Sequence, residues 1–87
     1  MGSKRPIPPD ELNLHSLTTD EALMELNKYL NDALMAGLYQ VRIVHGKGTG
    51  TLRDFVRREL ARHPLVRSYR TGGKGEGGVG ATVVQLE

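Results

Sequence analysis

The chain has 87 residues, enough for one hydrophobic core and too few for two. It contains no cysteine, which excludes disulfide bonds and thiolate metal sites. No apolar stretch approaches the roughly 18 residues that a membrane span requires. We therefore expect one soluble, cytoplasmic domain without a membrane partner.

The first ten residues are predicted to be an extension of the domain. Met1 to Ser3 has the composition of an expression-tag remnant, and the basic, proline-rich residues that follow are typical of a stiff linker. The domain itself is then expected to span residues 11–87. Such a linker is typical of a domain that belongs to a longer chain with other domains.

Positive charge is concentrated in the middle of the chain. The net charge is only +2, but residues 42–74 contain nine basic and two acidic residues, a net charge of +7. A polyanion-binding surface needs a local cation for each phosphate that it contacts. The alternative is an ordinary solvated helix face with loop lysines. The nine basic residues are Arg42, Lys47, Arg53, Arg57, Arg58, Arg62, Arg67, Arg70 and Lys74.

The first half of the chain predicts a strand, a helix and a second strand. Residues 12–15 alternate apolar and polar side chains, as a half-buried strand does. Thr18 and Glu21 have the spacing of a capping box, and apolar residues then recur at helical spacing, which predicts a helix over 19–36. The β-rich segment 40–44 predicts the second strand.

The second half predicts a helix and two further strands. An apolar stripe favours a helix over 51–63, which Pro64 ends. Strands are predicted over 66–70 and 81–86. The connection 71–80 contains six glycines, so we expect a flexible flap that becomes ordered only on binding.

The order β-α-β-α-β-β predicts an α/β fold, specifically an α+β two-layer sandwich. Two right-handed crossovers in the same direction place both helices on one face of a four-stranded sheet. The other face is then open and could display Arg42, Arg67 and Tyr69 together, with Tyr69 stacked on an unpaired base. Equally, Tyr69 could point into the core.

The glycine loop between the second strand and the second helix predicts a phosphate cradle. Gly46, Gly48 and Gly50 allow a tight turn that directs N–H groups outward, the helix N-terminus adds partial positive charge, and Lys47 adds an ammonium group. The spacing fits neither a P-loop nor a dinucleotide-binding fingerprint. The alternative is a plain tight turn between strand and helix.

Two histidines end the first two predicted strands. If these strands are parallel neighbours, His15 and His45 lie at the same edge of the sheet, where open α/β sheets bind ligands. Histidine exchanges protons near neutral pH, and phosphodiester cleavage needs both an acid and a base. The alternative is that both histidines are structural or simply exposed.

Three segments resemble the small MutS-related (Smr) domain family. Residues 12–16 are similar to its Leu-Asp-Leu-His-Gly opening, residues 45–48 match its His-Gly-x-Gly motif, and residues 78–84 match its Gly-x-Gly-x-Thr-x-Val segment. The sequence departs from the family at Asn13, usually Asp, and at Ser16, usually Gly. The resemblance covers about residues 11–87.

The resemblance implies a fold and a function. The expected fold is a mixed sheet with an antiparallel fourth strand, as in the C-terminal domain of translation initiation factor three. The expected function is an endonuclease module of a MutS-like protein that binds DNA or RNA and acts in DNA repair, recombination control or ribosome rescue. Because Asn13 replaces a residue associated with cleavage, the alternative is a DNA- or ribosome-binding module without catalysis.

The candidate site combines the motif residues with the basic residues that follow them. No metal site or cofactor is predicted, since Asn13 replaces the likeliest carboxylate, although a divalent metal is left open. RNA supplies its own nucleophile, so we expect any cleavage to favour RNA. The catalytic candidates are His15, His45 and Asn13, and the phosphate-binding candidates are Gly46, Lys47, Gly48, Thr49, Gly50, Arg53, Arg57, Arg58 and Lys74.

Overall fold

The structure, a computed structural model, describes residues 8–87. Its elements are β1 (Glu11–Asn13), α1 (Thr19–Met35), β2 (Gln40–Val44), α2 (Thr51–Ala61), β3 (Val66–Thr71) and β4 (Ala81–Leu86), with a short 3-10 helix, Gly78–Gly80, before β4. Most of the predicted extension at residues 1–10 lies outside the described residues. None of the helices within residues 8–87 is both long and apolar enough to cross a membrane.

Local sequence sets both ends of α1, as predicted. The Thr18 hydroxyl accepts a hydrogen bond from Glu21 N (3.2 Å), and the Glu21 carboxylate accepts one from Thr18 N (2.9 Å), which completes the capping box. Gly37 adopts a left-handed φ of +85° just after the helix, a conformation that favours glycine. The capping box and Gly37 thus mark the two ends of α1.

The second helix ends slightly earlier than the sequence indicates. α2 stops at Ala61, two residues before the predicted end at His63. His63 instead turns towards the first helix: its Nε2 lies 3.1 Å from Asn27 Oδ1, and its Nδ1 accepts a hydrogen bond from Leu65 N (3.2 Å). His63 therefore connects the end of α2 to α1, far along the helix from the glycine loop.

The four strands form a mixed sheet in the order β1-β2-β4-β3. β1 and β2 are parallel, and β4 lies antiparallel between β2 and β3. The first strand is shorter than predicted, although Leu14 N still donates to Val44 O (2.7 Å) beyond its end. The parallel pairing brings the carboxyl ends of β1 and β2 to the same edge of the sheet, as predicted.

The hydrophobic core lies on one face of the sheet only. One cluster of buried side chains contains residues from both helices and from alternate strand positions, so both helices cover the same face. This confirms the predicted two-layer sandwich. The fully buried members include Ala22, Leu26 and Leu30 of α1, Val56 of α2, Ile43 of β2 and Val84 of β4.

The glycine-rich connection before β4 has a defined structure, which differs from the predicted flap. Glu76 is its centre: its carboxylate accepts hydrogen bonds from both guanidinium Nη atoms of Arg70 (2.8 and 3.0 Å) and from Gly73 N (2.8 Å). The Arg70 guanidinium, followed by the Gly73 N–H, lowers the pKa of Glu76 to about 2. The connection also contacts the sheet, because a Cβ atom on Gly77 would lie 2.9 Å from Ala81 Cβ.

Strand register separates two of the three residues that were proposed to share the open face. Tyr69 pairs with Val84, which belongs to the core, so Tyr69 lies on the helix-covered face and is 38% exposed. Arg42 pairs with Val83 on the opposite face and forms an ion pair with Glu11. Tyr69 and Arg42 therefore do not form one base-stacking surface.

Candidate functional site

A cleft of about 340 Å³ opens between the beginnings of the two helices. Residues 16–19 form one wall and residues 48–53 the other, and both helices begin at the cleft, with Thr18 and Gly50 as their N-caps. A helix N-terminus carries partial positive charge and outward-facing N–H groups. Both helix N-termini therefore border the cleft.

The two helix N-termini differ in how their N–H groups are satisfied. Thr18 and Glu21 cap α1, whereas in α2 the N-cap is Gly50, with φ +87°, and no side chain caps the first turn within the described residues. Only Thr51 N approaches a nearby hydroxyl, Thr49 Oγ1, at 3.4 Å. The first turn of α2 therefore has N–H groups available to an anion in the cleft.

Gly46 lies between the two predicted catalytic histidines. Its φ of +86° is left-handed, and a Cβ atom at this position would lie 2.6 Å from Cδ2 of His15. Its carbonyl oxygen lies 3.0 Å from Nδ1 of His45. The close contact and the backbone conformation both require glycine here, and the predicted meeting of the two histidines at the loop is thus present in the structure.

The two histidines differ sharply in exposure. His15 is exposed, and its Nδ1 lies 3.1 Å from Ser16 Oγ. His45 is only 4% exposed, with Nε2 2.9 Å from Thr82 Oγ1 in addition to its bond with Gly46. Direct proton transfer by His45 would require one of these bonds to break.

The surroundings of His45 favour its neutral form. Burial is the largest effect and lowers the pKa of His45 below 6.5, the hydrogen bond to the Gly46 carbonyl opposes it, and the positive charges of Arg57 and Arg53 lower the pKa further. At neutral pH the imidazole is therefore uncharged, and one of its nitrogens accepts a hydrogen bond while the other donates.

Asn13 is placed to support the backbone next to His15. Its Oδ1 accepts a hydrogen bond from His15 N (2.8 Å), and its side chain lines a separate depression beside Glu21 and Met24 rather than the cleft. An aspartate could accept the same bond. The neighbouring Ser16 has a φ of +73°, which explains why the family usually has glycine here.

The predicted phosphate-binding arginines are not equivalent in the structure. Arg53 lines the cleft and lies against Gly50, and Arg57 donates from Nη2 to Thr71 Oγ1 (2.6 Å), which places it at the end of β3. Arg58 is exposed and lies about 100° around the helix from Arg57. Arg53 is therefore within reach of an anion in the cleft, whereas Arg58 lies outside the cleft lining.

The two predicted lysines also lie in different places. Lys47 is exposed in the glycine loop, and its side chain lies close to Gly80, whose Cβ would be 3.4 Å from Lys47 Cγ. Lys74 is exposed in the turn that Glu76 holds together, and neither lysine is among the residues that line the cleft. The structure thus groups Lys47, but not Lys74, with the glycine loop.

The cleft is rich in hydroxyl groups and backbone N–H groups rather than carboxylates. Within residues 8–87, its lining side chains include no Asp or Glu, and no group of three or more His, Asp or Glu side chains there could hold a metal ion. The lining residues that the sequence did not assign to the candidate site are Ser16, Leu17, Thr18, Thr19, Thr51 and Leu52.

Comparison with protein families matches residues 12–87 to the Smr domain. The chain belongs to the Smr domain family. It is 52% identical over 86 residues to Endonuclease MutS2 of Pelotomaculum thermopropionicum, a match that covers 99% of this chain and 11% of that protein. It is 53% identical over 77 residues to Endonuclease MutS2 of Thermomicrobium roseum, covering 88% of this chain and 10% of the relative. The chain therefore spans about a tenth of the length of these relatives.

Solved Smr structures have the same fold. The Smr domain of Thermus thermophilus MutS2 superposes with a TM-score of 0.85 at 45% identity, over 88% of this chain and 96% of that one. YdaL, a stand-alone small MutS-related protein from Escherichia coli, also gives a TM-score of 0.85, at 32% identity over 92% of this chain and 66% of its own. The two helices and the mixed four-stranded sheet are thus those of the Smr domain.

The sequence interpretation did not assign Thr82 to the site, although Thr82 lies in the Gly-x-Gly-x-Thr-x-Val segment. Thr82 follows Ala81 in a strand that otherwise reads as an apolar, β-rich segment, and threonine is itself a good strand former. Only the packing of β4 beside β2 shows that its hydroxyl contacts His45. The available signal was the threonine of the closing family segment.

Proposed function

We propose that this Smr domain is a nuclease module that binds a nucleic-acid phosphate in the cleft between the two helix N-termini. The observation that carries the proposal is the exposed His15 imidazole packed against Gly46, which lines a cleft with uncapped N–H groups. The relatives named Endonuclease MutS2 support the same activity. Catalytic and phosphate-binding roles for the residues below are part of this proposal.

Phosphate binding is assigned to the glycine loop and the first turn of α2. N–H groups there donate to the phosphate oxygens, and the helix dipole adds favourable potential. Arg53 in the cleft lining and the exposed Lys47 of the glycine loop supply full positive charges. Arg57 and Arg58 extend the positive surface away from the cleft along α2. Because released counterions drive this kind of binding, affinity should fall steeply as salt rises.

Proton transfer is assigned to His15, because it is exposed beside the cleft whereas both ring nitrogens of His45 are engaged. In RNA cleavage a base removes the 2′-hydroxyl proton, the 2′-oxygen attacks phosphorus, and the 5′-oxygen leaves with a proton from an acid. His15 supplies one of these two transfers and water the other. DNA lacks the 2′-hydroxyl and needs an activated water, which nucleases commonly obtain from a metal ion. RNA is therefore the proposed substrate.

Cleavage assays on the purified domain test this proposal. Labelled single-stranded RNA and supercoiled plasmid are incubated with and without chelator across neutral pH. We expect RNA cleavage that persists in chelator, and a loss of about 100-fold in His15→Ala with binding nearly unchanged. His63→Ala is the matched control, because His63 lies just beyond the end of α2 that is remote from the cleft, where its ring bonds Asn27 of α1. Plasmid nicking that stops with chelator, or a fully active His15→Ala, would refute the assignment.

Two further variants separate binding from catalysis. Lys47→Ala should weaken RNA binding. The slope of the logarithm of affinity against the logarithm of salt concentration should also fall by about the amount expected for one lost phosphate contact. Asn13→Asp should keep the hydrogen bond to His15 N and add a negative charge beside that histidine. If the family aspartate assists proton transfer, this variant cleaves faster than the parent domain. An unchanged rate would show that the oxygen atom matters and the charge does not.

The second candidate is a binding module without catalysis. The observation that favours it is the absence of any carboxylate from the cleft lining within the described residues, together with Asn13 in place of aspartate. In that case the same loop and arginines dock DNA or ribosomal RNA for other domains of a MutS-like protein in the cytoplasm. Binding that is salt-sensitive but accompanied by no cleavage of either substrate would select this function. A role in DNA repair, recombination control or ribosome rescue would follow from which nucleic acid is bound.

A further inference from the structure

Thr82 is a polar residue fully buried in the sheet. It has no exposed surface, and its strand neighbours across the sheet are Ile43 and Thr71. Its hydroxyl lies 2.9 Å from Nε2 of His45. A valine has nearly the same shape and buries no hydroxyl, so the contribution specific to threonine at this position is the hydrogen bond to His45.

The direction of this hydrogen bond follows from the other side of the imidazole ring. The Gly46 carbonyl oxygen can only accept, so Nδ1 of His45 carries the proton that bridges the 3.0 Å to it. In the neutral ring Nε2 is then unprotonated and must accept. Thr82 is therefore the donor, and its hydroxyl selects the Nδ1–H form of His45.

The same end of β4 also holds the glycine loop through its backbone. The carbonyl oxygen of Gly80 accepts hydrogen bonds from His45 N (3.0 Å) and Gly46 N (2.9 Å). The Thr82 hydroxyl thus contacts His45, and the Gly80 carbonyl, two residues earlier in the chain, holds both His45 and Gly46. Gly46 in turn lies against the ring of His15, so a shift of this peptide changes the space that the ring can occupy.

We propose that Thr82 is a positioning residue of the cleft: by donating to Nε2 of His45 it keeps Nδ1–H directed at the Gly46 carbonyl, and this fixes the glycine loop and His15. The proposal deepens the function proposed above and rests on it for its catalytic consequence. Thr82 itself does not touch the nucleic acid. Without its hydroxyl, His45 can take the other tautomer or turn, and the Gly46 carbonyl loses its donor.

Ring ¹⁵N NMR of His45 in the intact domain tests the first step without any assay of activity. At neutral pH we expect Nδ1 to be protonated and Nε2 to be unprotonated. The opposite tautomer in the parent domain would overturn the proposal before any variant is made. This measurement also holds if the domain proves to bind nucleic acid without cleaving it, or to do neither.

Two substitutions then test the hydroxyl. Thr82→Val removes it, whereas Thr82→Ser retains it and is the matched control. We expect Thr82→Val to change the His45 ring ¹⁵N shifts and the amide shifts of Gly46 and Gly48, and to lower RNA binding or cleavage about tenfold or more. Thr82→Ser should resemble the parent in all three measurements.

The outcomes are distinguishable. If Thr82→Val is less stable but keeps the parent's His45 tautomer and loop amide shifts, Thr82 is only a packing residue and the proposal is wrong. If the tautomer and loop change while the parent domain neither binds nor cleaves nucleic acid, the positioning role stands and the proposed function fails. If Thr82→Val does not fold, the parent domain and the Thr82→Ser variant still test the proposal. His45 without a proton on Nδ1 in either protein contradicts it.

Discussion

Alanine substitution at Gly46 should damage the domain in two separable ways. The backbone φ of +86° is left-handed, and the new Cβ would lie 2.6 Å from Cδ2 of His15, where ordinary carbon contacts begin near 3.5 Å. The substitution therefore strains the backbone and also forces the His15 ring to move by about 1 Å. Because His15 is exposed, the ring can turn away, so we expect a folded but altered protein.

The expected loss of stability in Gly46→Ala can be compared with alanine substitution at two other glycines, which lack the contact with His15. Gly37 has a φ of +85° with nothing within 4 Å of an added Cβ, so Gly37→Ala measures backbone strain alone, about 1–2 kcal/mol. Gly48 has open space and no positive φ, so Gly48→Ala should be neutral or stabilising by up to about 1 kcal/mol. Gly46→Ala combines strain with ring displacement, and we expect a loss of about 2–3 kcal/mol.

Urea unfolding followed by far-UV circular dichroism measures these differences. The free energy of unfolding is extrapolated to water for each variant, and an unchanged slope with urea shows that the unfolded state is comparable. Cleavage or RNA binding measured in parallel should fall in Gly46→Ala and persist in Gly37→Ala, because Gly37 lies at the far end of α1.

Two results would refute the reasoning. Equal destabilisation by Gly48→Ala and Gly46→Ala would show that the left-handed conformation is not what requires glycine in this loop. Equal effects of Gly37→Ala and Gly46→Ala on stability and on activity would show that the contact with His15 contributes nothing.

Three further predictions concern His45, Ser16 and Glu76. Burial lowers the pKa of His45 below its ordinary value of 6.5, so the folded state binds fewer protons than the unfolded chain below about pH 6.5. The contribution of neutral His45 to the unfolding free energy should be fully present above pH 6.5. It should be lost as the pH falls, by at most about 1.4 kcal/mol per pH unit, and an unfolding free energy that stays constant from pH 7 to 5 contradicts this. Ser16→Gly relieves a left-handed φ of +73° and should raise stability by up to about 1 kcal/mol, measured as a higher Tm. An unchanged or lower Tm would contradict this and show that the contact of Ser16 Oγ with the His15 imidazole outweighs the strain. Glu76→Gln should speed amide hydrogen exchange in residues 72–80 while sparing the helices, and unchanged exchange would show that the carboxylate does not hold the connection. Because the pKa of Glu76 is lowered to about 2, its effect in the parent should be present above pH 4.5 and lost as pH falls towards 2.

The sequence alone determined the order of the elements and the faces that the two helices bury. The capping box at Thr18 and Glu21, the left-handed Gly37 and the apolar stripes are local signals, and local bonds in the structure bear them out. The two-layer arrangement also followed, because the handedness of crossovers leaves few alternatives for this element order. Helix and strand ends shifted by one or two residues, since terminal turns depend on contacts such as that of His63 with Asn27.

The tertiary structure decided which residues meet at the site. The sequence predicted that His15, His45 and the glycine loop lie together, because parallel strands align their carboxyl ends. They did not indicate that His45 is buried between Thr82 and the Gly46 carbonyl, or that Glu76 holds Arg70 and so orders the glycine-rich connection. These contacts join residues far apart in the chain, and strand register with side-chain packing fixes them. Local propensity carries no information about such pairs, so only the folded chain distinguishes an exposed histidine from a buried one.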